Sequence, residues 1–458
     1  MSNKVTIAGA GLAGSLLTVM LAERGFEVDL IERRPDMRKV DISAGRSINL
    51  ALSNRGLRAL REVGIEEEVM KEVVPMKGRL VHDLQGNLDM QPYSGREGNV
   101  INSVSRGGLN KLLLDKAETY PQVNIRFNTR LDKINYINKT YSLRDQNDLT
   151  VVEDDPFNVL IGSDGAGSSV RLSYQLGGVP RFSFSQQFLD HGYKELEIPP
   201  GPGGTYRIDG ESLHIWPRHD FMMIALPNFD GSFTVTLFQK FKGENGFDEI
   251  WNEDQLMAFF KKDFPDLIEY MPNLVDDYFS NPTGNLATVK CHPWNHDGDA
   301  CLIGDAAHAV VPFYGQGMNA SFEDCRVLVE KIDENMAGGN APDWEVIFAE
   351  FFKERKADGD AIGDLAIDNY MEMRSHTANP LHKMKRELEL KIEKEHKDFD
   401  SKYSLVTFRD DIGYSQAKSQ GEIQDKALLE ICMWADSVDQ INANDAYNKL
   451  QEILKSQQ

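Results

Sequence analysis

Residues Val5–Arg34 read VTIAGAGLAGSLLTVMLAERGFEVDLIERR, and this stretch constrains the chain more than any other. Val5–Ala8 is short and apolar, the pattern of a buried parallel strand. Gly9 permits a tight turn, Gly11 lets the backbone approach a pyrophosphate, and Gly14 lets a helix pack closely on the strand. The helix opening there aims its amides and the positive end of its dipole at phosphates. A second strand, Glu27–Ile31, leads into Glu32, roughly 20 residues past the glycines, where a carboxylate can accept a ribose hydroxyl. The order strand, glycines, apolar helix, strand and terminal acid defines a dinucleotide-binding βαβ unit.

Far downstream, CLIGDAAHAVVPFYGQGMNASFED starts as a strand, reaches Gly304-Asp305, and then approaches a helix through glycines. The two signals together imply one long dinucleotide, a flavin, held at both ends. A secretory leader is the bland alternative for the N-terminus. Internal glycines and the regular strand after them argue against it. No run of about 18 uninterrupted apolar residues occurs, which argues against a transmembrane helix.

At 458 residues and 41% hydrophobic, the chain has material for two or three domains with a sizeable core. A net charge of -22 disfavours nucleic acid as a partner, because phosphate binding needs clustered Lys and Arg. Cys291, Cys301, Cys325 and Cys432 show no paired spacing, as expected in a reducing cytoplasm. CHPWNH holds Cys291, His292 and His296 but reads as a loop, and no metal is expected.

Strands and helices alternate first, as in a doubly wound sheet. Arg106–Tyr120 reads as a helix, and Phe157–Gly162 as a buried strand entering SDGAGSSVR. From Phe188 to Phe238, segments such as SLHIWP, FMMIALP and SFTVTLFQ predict an antiparallel sheet. GRLVHDLQGNLDMQPY, from Gly78 to Tyr93, is expected to pair with it. After Asp305 the chain reads as mostly helical. The Lys- and Glu-dense runs in Trp344–Met373 and Leu381–His396 read as solvated faces. The end, YNKLQEILKSQQ, reads as a modest amphipathic helix.

The ordered triplet GAGLAG, IGSDGAGSSVR and CLIGDAAHAVVPFYGQGMN resembles the single-component flavin-dependent aromatic hydroxylases, with Ser163 where Ala is usual. ERRPD, GRSINLAL, HGYKEL, LHIWP, IALPN, SFTVTLF, DNYMEM and YSLVTF resemble the branch that hydroxylates L-kynurenine at ring position 3. The likeness runs from Val5 to about Gln424. It implies noncovalent FAD, NADPH as hydride donor and O2 as oxidant, with the flavin carrying the chemistry. It also implies a Rossmann-type α/β cofactor domain, discontinuous over 1–75, 102–180 and 275–335. A β-sheet substrate domain would span 76–101 and 181–274, and a C-terminal helical region acting as a lid 336–458. Anchored eukaryotic relatives end in a hydrophobic segment. The polar helix here implies a soluble, bacterial-type form with no membrane partner. Oligomeric state is not legible.

By resemblance, Gly9, Gly11, Leu12, Ala13 and Gly14 form the pyrophosphate turn. Glu32 holds the ribose, Arg33 lies at the adenosine end, and Leu131 joins the cofactor contacts. Arg46 sits near the flavin entrance, and Asp305 binds the ribityl chain. Gly315, Gly317, Met318 and Asn319 face the flavin pyrimidine edge. Arg106 is a cofactor contact or a surface arginine. Asp164 faces the nicotinamide path, caps the helix near Ser168, or does both. The family places Arg79, Tyr93, Asn369 and Tyr403 around the amino-acid group. A guanidinium suits a carboxylate through two parallel hydrogen bonds. Read without the family, Arg79 is a surface ion pair and the tyrosines are packing residues. Ile215, Met222, Ile224, Leu226, Phe238, Pro312 and Phe313 are expected to wall the ring pocket. Tyr314 stands where relatives often have histidine. No catalytic acid–base pair is evident, consistent with a ring activated by its own aniline nitrogen. The alternatives are a hydroxylase of another aromatic carboxylic acid and a redox-sensing flavoprotein without turnover.

Overall fold

The structure is a computed structural model and describes residues 3–40, 49–177, 179–373 and 379–456. Lys4–Ala8 lies inside a six-stranded sheet. Its order is Asn295–His296, Ala300–Leu302, Val159–Gly162, Lys4–Ala8, Glu27–Ile31 and Val123–Arg126. All neighbours run parallel except the short Asn295–His296. Val5, Ile7 and Ala8 are buried, as an apolar strand covered on both faces must be.

Register brings the distant motifs together. Ala8 stands opposite Ile31 and Gly162, and Gly162 stands opposite Leu302. The next residues, Gly9, Glu32, Ser163 and Ile303, therefore leave the sheet at one carboxyl edge. That edge is where open α/β sheets hold ligands. The helices Leu12–Glu23 and Gly317–Met336 pack side by side on this sheet.

A second sheet has seven strands in the order Gly284–His292, Ser183–Ile198, Phe233–Lys240, Phe221–Pro227, Ser212–Arg218, Gly78–His82 and Leu88–Pro92. The segment Gly78–Tyr93 does join it. The expected all-antiparallel pairing is corrected at one place: Gly78–His82 runs parallel to Ser212–Arg218. Gly284–His292, from the stretch assigned to the cofactor lobe, pairs with Ser183–Ile198, so that stretch feeds both sheets. The CHPWNH segment is not a plain loop. It ends Gly284–His292 and begins Asn295–His296, and the Cys291 thiol donates to the Ala307 carbonyl at 3.2 Å.

Alternation along the strands separates two cores. Trp216, Met223 and Phe233 face a layer containing Phe260, Phe264 and Leu274. Ile215, Met222 and Phe238 face Phe313, Leu365 and Leu405. The C-terminal helices Trp344–Met371, Pro380–Glu395, Lys402–Thr407, Tyr414–Cys432 and Ala443–Ser456 cover this second face. Leu388, Ile392, Phe399, Leu428 and Leu450 form a core of their own there. Among the described residues, no helix is long and apolar enough to cross a membrane.

Candidate active site

A cavity of about 700 Å³ runs between the two sheets, within the range of cofactor and ligand pockets. At the first sheet's edge it is lined by Gly9, Gly11, Leu12, Ala13, Glu32, Arg33 and Leu131. Gly9 adopts φ +98°, and a Cβ there would sit 2.7 Å from the Ser163 carbonyl. A Cβ on Gly11 would meet no protein atom within 4 Å and would project into open space, which leaves room for a phosphate. Gly14 does not line the cavity. It allows the helix to touch the strand, since its Cβ would fall 1.9 Å from the Gly9 carbonyl.

Glu32 is 5% exposed. Its Oε2 accepts the Ala10 N–H at 2.9 Å, and its Oε1 accepts the Arg34 N–H and Nε–H, each at 2.9 Å. Burial pushes the carboxyl pKa up, but the Arg34 and Ala10 bonds more than reverse that and hold it below the usual range. An ionised acceptor thus stands at the strand end. Glu32→Ala is expected to weaken FAD binding by about 1.5–3 kcal/mol, the worth of a charge-assisted hydrogen bond. Flavin fluorescence titration of the apoprotein measures this, and an unchanged dissociation constant removes Glu32 from the site.

Asp164 lines the cavity and also caps a helix. Its Oδ1 accepts the Ser168 hydroxyl at 2.5 Å, and its Oδ2 accepts the Ser169 N–H at 2.7 Å, at the start of Ser169–Leu176. Asp305 opens the four-residue helix Asp305–His308 and presents its side chain to the cavity. The surrounding protein raises its pKa, and the charges of Arg106 and His308 oppose the rise. Arg106 lines the same wall, exposed at the first turn of Arg106–Glu118.

Gly315 takes φ +68° after the turn Pro312–Tyr314, and its Cβ would press on Ala51 at 2.9 Å. Gly315, Gly317 and Met318 line the cavity. Asn319 does not. Its Nδ2 donates to the Ala51 and Gly315 carbonyls at 2.8 and 3.1 Å, and its Oδ1 accepts the Ser53 N–H at 3.0 Å, so it braces the loop from behind. Arg46 lies outside the described residues.

The second sheet closes the far end. Met222, Ile224, Leu226 and Phe238 line it, with Pro312 and Phe313 opposite. Phe238 and Phe313 lie 5.0 Å apart between ring centroids. Ile215 sits in the core behind this wall, 1% exposed, and is absent from the lining.

Arg79, Tyr93, Tyr314 and Tyr403 gather at the head of the apolar end. Tyr403 stacks on Tyr93 at 5.6 Å and on Tyr314 at 5.5 Å. The Arg79 guanidinium lies 4.8 Å from the Tyr403 ring centroid. Its Nε is buried without a hydrogen-bond partner, and among the described residues no carboxylate forms an ion pair with it. Burial disfavours its charge, but the nearby tyrosine and Glu372 groups outweigh that and leave its pKa above the ordinary arginine value. A half-buried guanidinium with an unpartnered Nε is suited to receive an anion. Asn369 is not in this wall. Its Nδ2 donates to the Phe313 carbonyl at 2.6 Å, and it lines an adjoining cavity of about 80 Å³ shared with Arg79 and the tyrosines.

Sequence reasoning missed Leu213, Thr234, Thr236 and Tyr193, which also line the cavity. Thr234 and Thr236 were within reach of the two-residue period, because Phe238 shares their face. Tyr314 was noted only as a departure, yet it lies in the aromatic stack.

A glycine-turned sheet edge, an acid at each end of a long cleft and an apolar pocket headed by one arginine define an FAD-binding flavoprotein with an adjoining small-molecule site. The FAD binding domain model matches residues 2–347. The chain is 44% identical to a kynurenine 3-monooxygenase of Myxococcus xanthus over 93% of this chain and 90% of the relative. It is 41% identical to the one of Christiangramia forsetii over 98% of both. The 2-methyl-3-hydroxypyridine-5-carboxylic acid oxygenase structure, 19% identical, shares the fold with a TM-score of 0.65 over 84% of this chain and 96% of that one. The chain belongs to the kynurenine 3-monooxygenase family.

Proposed function

We propose that the protein hydroxylates L-kynurenine at ring position 3 to give 3-hydroxykynurenine, consuming NADPH and O2. The observation that carries this is Arg79, a half-buried cation with an unpartnered Nε and no ion pair among the described residues, at the head of an apolar pocket that opens onto the flavin site. A substrate with a carboxylate at one end and an aromatic ring at the other matches both halves.

Bound FAD supplies hydride acceptance from NADPH and the activation of O2. The protein supplies position. The Gly9–Gly14 turn and the first turn of Leu12–Glu23 receive the pyrophosphate, Glu32 a ribose hydroxyl and Asp305 the ribityl chain. The amides of Gly315 and Gly317 meet the pyrimidine edge. Arg79 grips the carboxylate while Tyr93, Tyr314 and Tyr403 enclose the head group. Met222, Ile224, Leu226, Phe238, Pro312 and Phe313 hold the ring and exclude water. None of these six side chains titrates, which suits a ring whose own amine donates electron density. The four cysteines are free and buried, in keeping with a reducing cytoplasm. The sheet memberships support a cofactor lobe, a substrate lobe and a helical cover, with Gly284–His292 belonging to the substrate sheet.

NADPH oxidation with and without L-kynurenine, with the product identified by mass, tests this reading. Substrate-stimulated oxidation with a gain of one oxygen supports it. Stimulation by another aromatic carboxylic acid but not by kynurenine rejects it, as does no stimulation. The purified protein is expected to be yellow and to release its flavin on acid or heat denaturation, because no histidine or cysteine among the described residues lines the cavity to bond it covalently. Flavin that stays with the denatured chain contradicts this.

A further inference from the structure

Beneath the cavity wall, buried charges form a continuous chain that the hydroxylation scheme leaves without a task. Asp324, on Gly317–Met336, is 0% exposed. Its Oδ2 accepts the Gly304 N–H at 3.0 Å and the His308 Nε2–H at 2.5 Å. Its Oδ1 accepts the Arg355 Nε–H at 2.9 Å. Gly304 and His308 are the two ends of the helix Asp305–His308. A single turn cannot hold itself, because nucleation costs more than one hydrogen bond returns. Gly304 also stands at φ +55°, where other residues are strained. One carboxylate therefore pins both ends of the segment whose first residue faces the cavity.

The chain continues outward. Arg355 donates to Glu323 at 2.9 Å and to Asp358 at 3.2 Å. Asp358 accepts the N–H and the hydroxyl of Ser415, at 2.9 and 2.6 Å, in the first turn of Tyr414–Cys432. Glu323 accepts from Arg55 at 2.8 Å, and Arg55 donates to the Val406 and Ile412 carbonyls at 3.1 and 2.8 Å. The Tyr414 hydroxyl donates at 3.0 Å to Gln316, inside the glycine loop. Apolar side chains of similar volume often stabilise a core as well as or better than buried ion pairs. What the charges add here is direction: the network reaches the Gly304 amide of the flavin wall at one end and the Val406, Ile412 and Ser415 main chain of the C-terminal region at the other.

We propose that Asp324 and Arg355 are positioning residues for the flavin, which aim Asp305 and fasten its helix to the C-terminal region through Asp358 and Glu323. This rests on the FAD reading of the cleft. The test measures FAD dissociation constants and apoprotein melting temperatures for wild type, Asp324→Asn, Arg355→Lys, Asp305→Ala and the double variant Asp305→Ala/Asp324→Asn. Asparagine keeps an acceptor for Gly304 but loses the charge that holds His308 and Arg355. Asp324→Asn is expected to weaken FAD binding at least tenfold. Asp305→Ala is expected to cost at least tenfold in wild type but less than twofold once Asp324 is replaced, while the Asp305→Ala apoprotein melts as wild type does. Arg355→Lys, too short in reach for all three acids, gives an intermediate loss. A merely structural role lowers apoprotein melting while folded protein keeps its FAD affinity within twofold, or makes the two losses multiply independently. Either result overturns the proposal. If Asp324→Asn does not fold, Arg355→Lys enters the same cycle with Asp305→Ala under the same criterion. Wild-type protein that binds no FAD overturns the flavin reading instead.

Discussion

Arg79→Met is expected to weaken L-kynurenine binding by about 2–5 kcal/mol, the range for removing one partner of a buried hydrogen-bonded charge pair. That is a rise of roughly 30-fold or more in the dissociation constant. Methionine keeps much of the length of the side chain and removes its charge. A substrate carboxylate would then enter a pocket of tyrosine rings without the cation that heads it, and desolvation would oppose binding. Arg79 pairs with no protein carboxylate among the described residues, so its loss strands no acid and folding is expected to hold. The flavin walls at Glu32 and Asp305 lie on other segments, so FAD content is expected to change little. Flavin fluorescence titrated with L-kynurenine on both proteins gives the comparison. Near-equal affinities would reject Arg79 as the anchor.

Removing residues 380–458 is expected to abolish flavin retention as well as turnover. Read from sequence, the C-terminal helices are a lid, and a chain ending near Pro380 should still hold FAD. The structure gives these helices a further role. Val406, Ile412, Tyr414 and Ser415 are partners of Arg55, Gln316 and Asp358 beneath the cofactor wall. Leaving a buried polar group without its hydrogen-bond partner costs about 1–3 kcal/mol, and more for a charged group. Total stabilities of about 5–15 kcal/mol leave little room for several such losses. The flavin-to-protein absorbance ratio after gel filtration, read with a calorimetric melt, measures the effect. A truncated protein that keeps the wild-type ratio would show that the helices only cover the substrate.

The cofactor edge was legible because its signals are local. Strand, glycines and acid lie within Val5–Glu32, and Gly304-Asp305 follows a strand directly. The parallel pairing of Gly78–His82 with Ser212–Arg218 was not legible, since nothing in either strand encodes a partner so far along the chain. Asn319 was expected to offer its backbone amide and Asn369 to contact the substrate, and the bracing role of their side-chain amides was not legible. In the fold each satisfies a main-chain carbonyl, as a buried amide must. Arg355 was read as part of a solvated charged face and is 2% exposed. Periodicity places a residue on a helix face but cannot say that a second layer of helices covers that face. Arg79 is the reverse case: alternation put it on one side of a strand, and only the resemblance chose the cavity.

Ala300–Leu302 is the last strand along the chain to enter the six-stranded sheet, so the flavin site has an order of assembly. While a ribosome is still making the middle of the protein, Val159–Gly162 is an open edge of a hydrophobic sheet, a surface prone to wrong pairing. Asp305 has not emerged at that point, and the bracing from Tyr414 comes later still. FAD therefore meets the Gly9–Glu32 half of its site before the Asp305 half exists, and the interval until both are made is when the exposed sheet edge most needs protection from its neighbours.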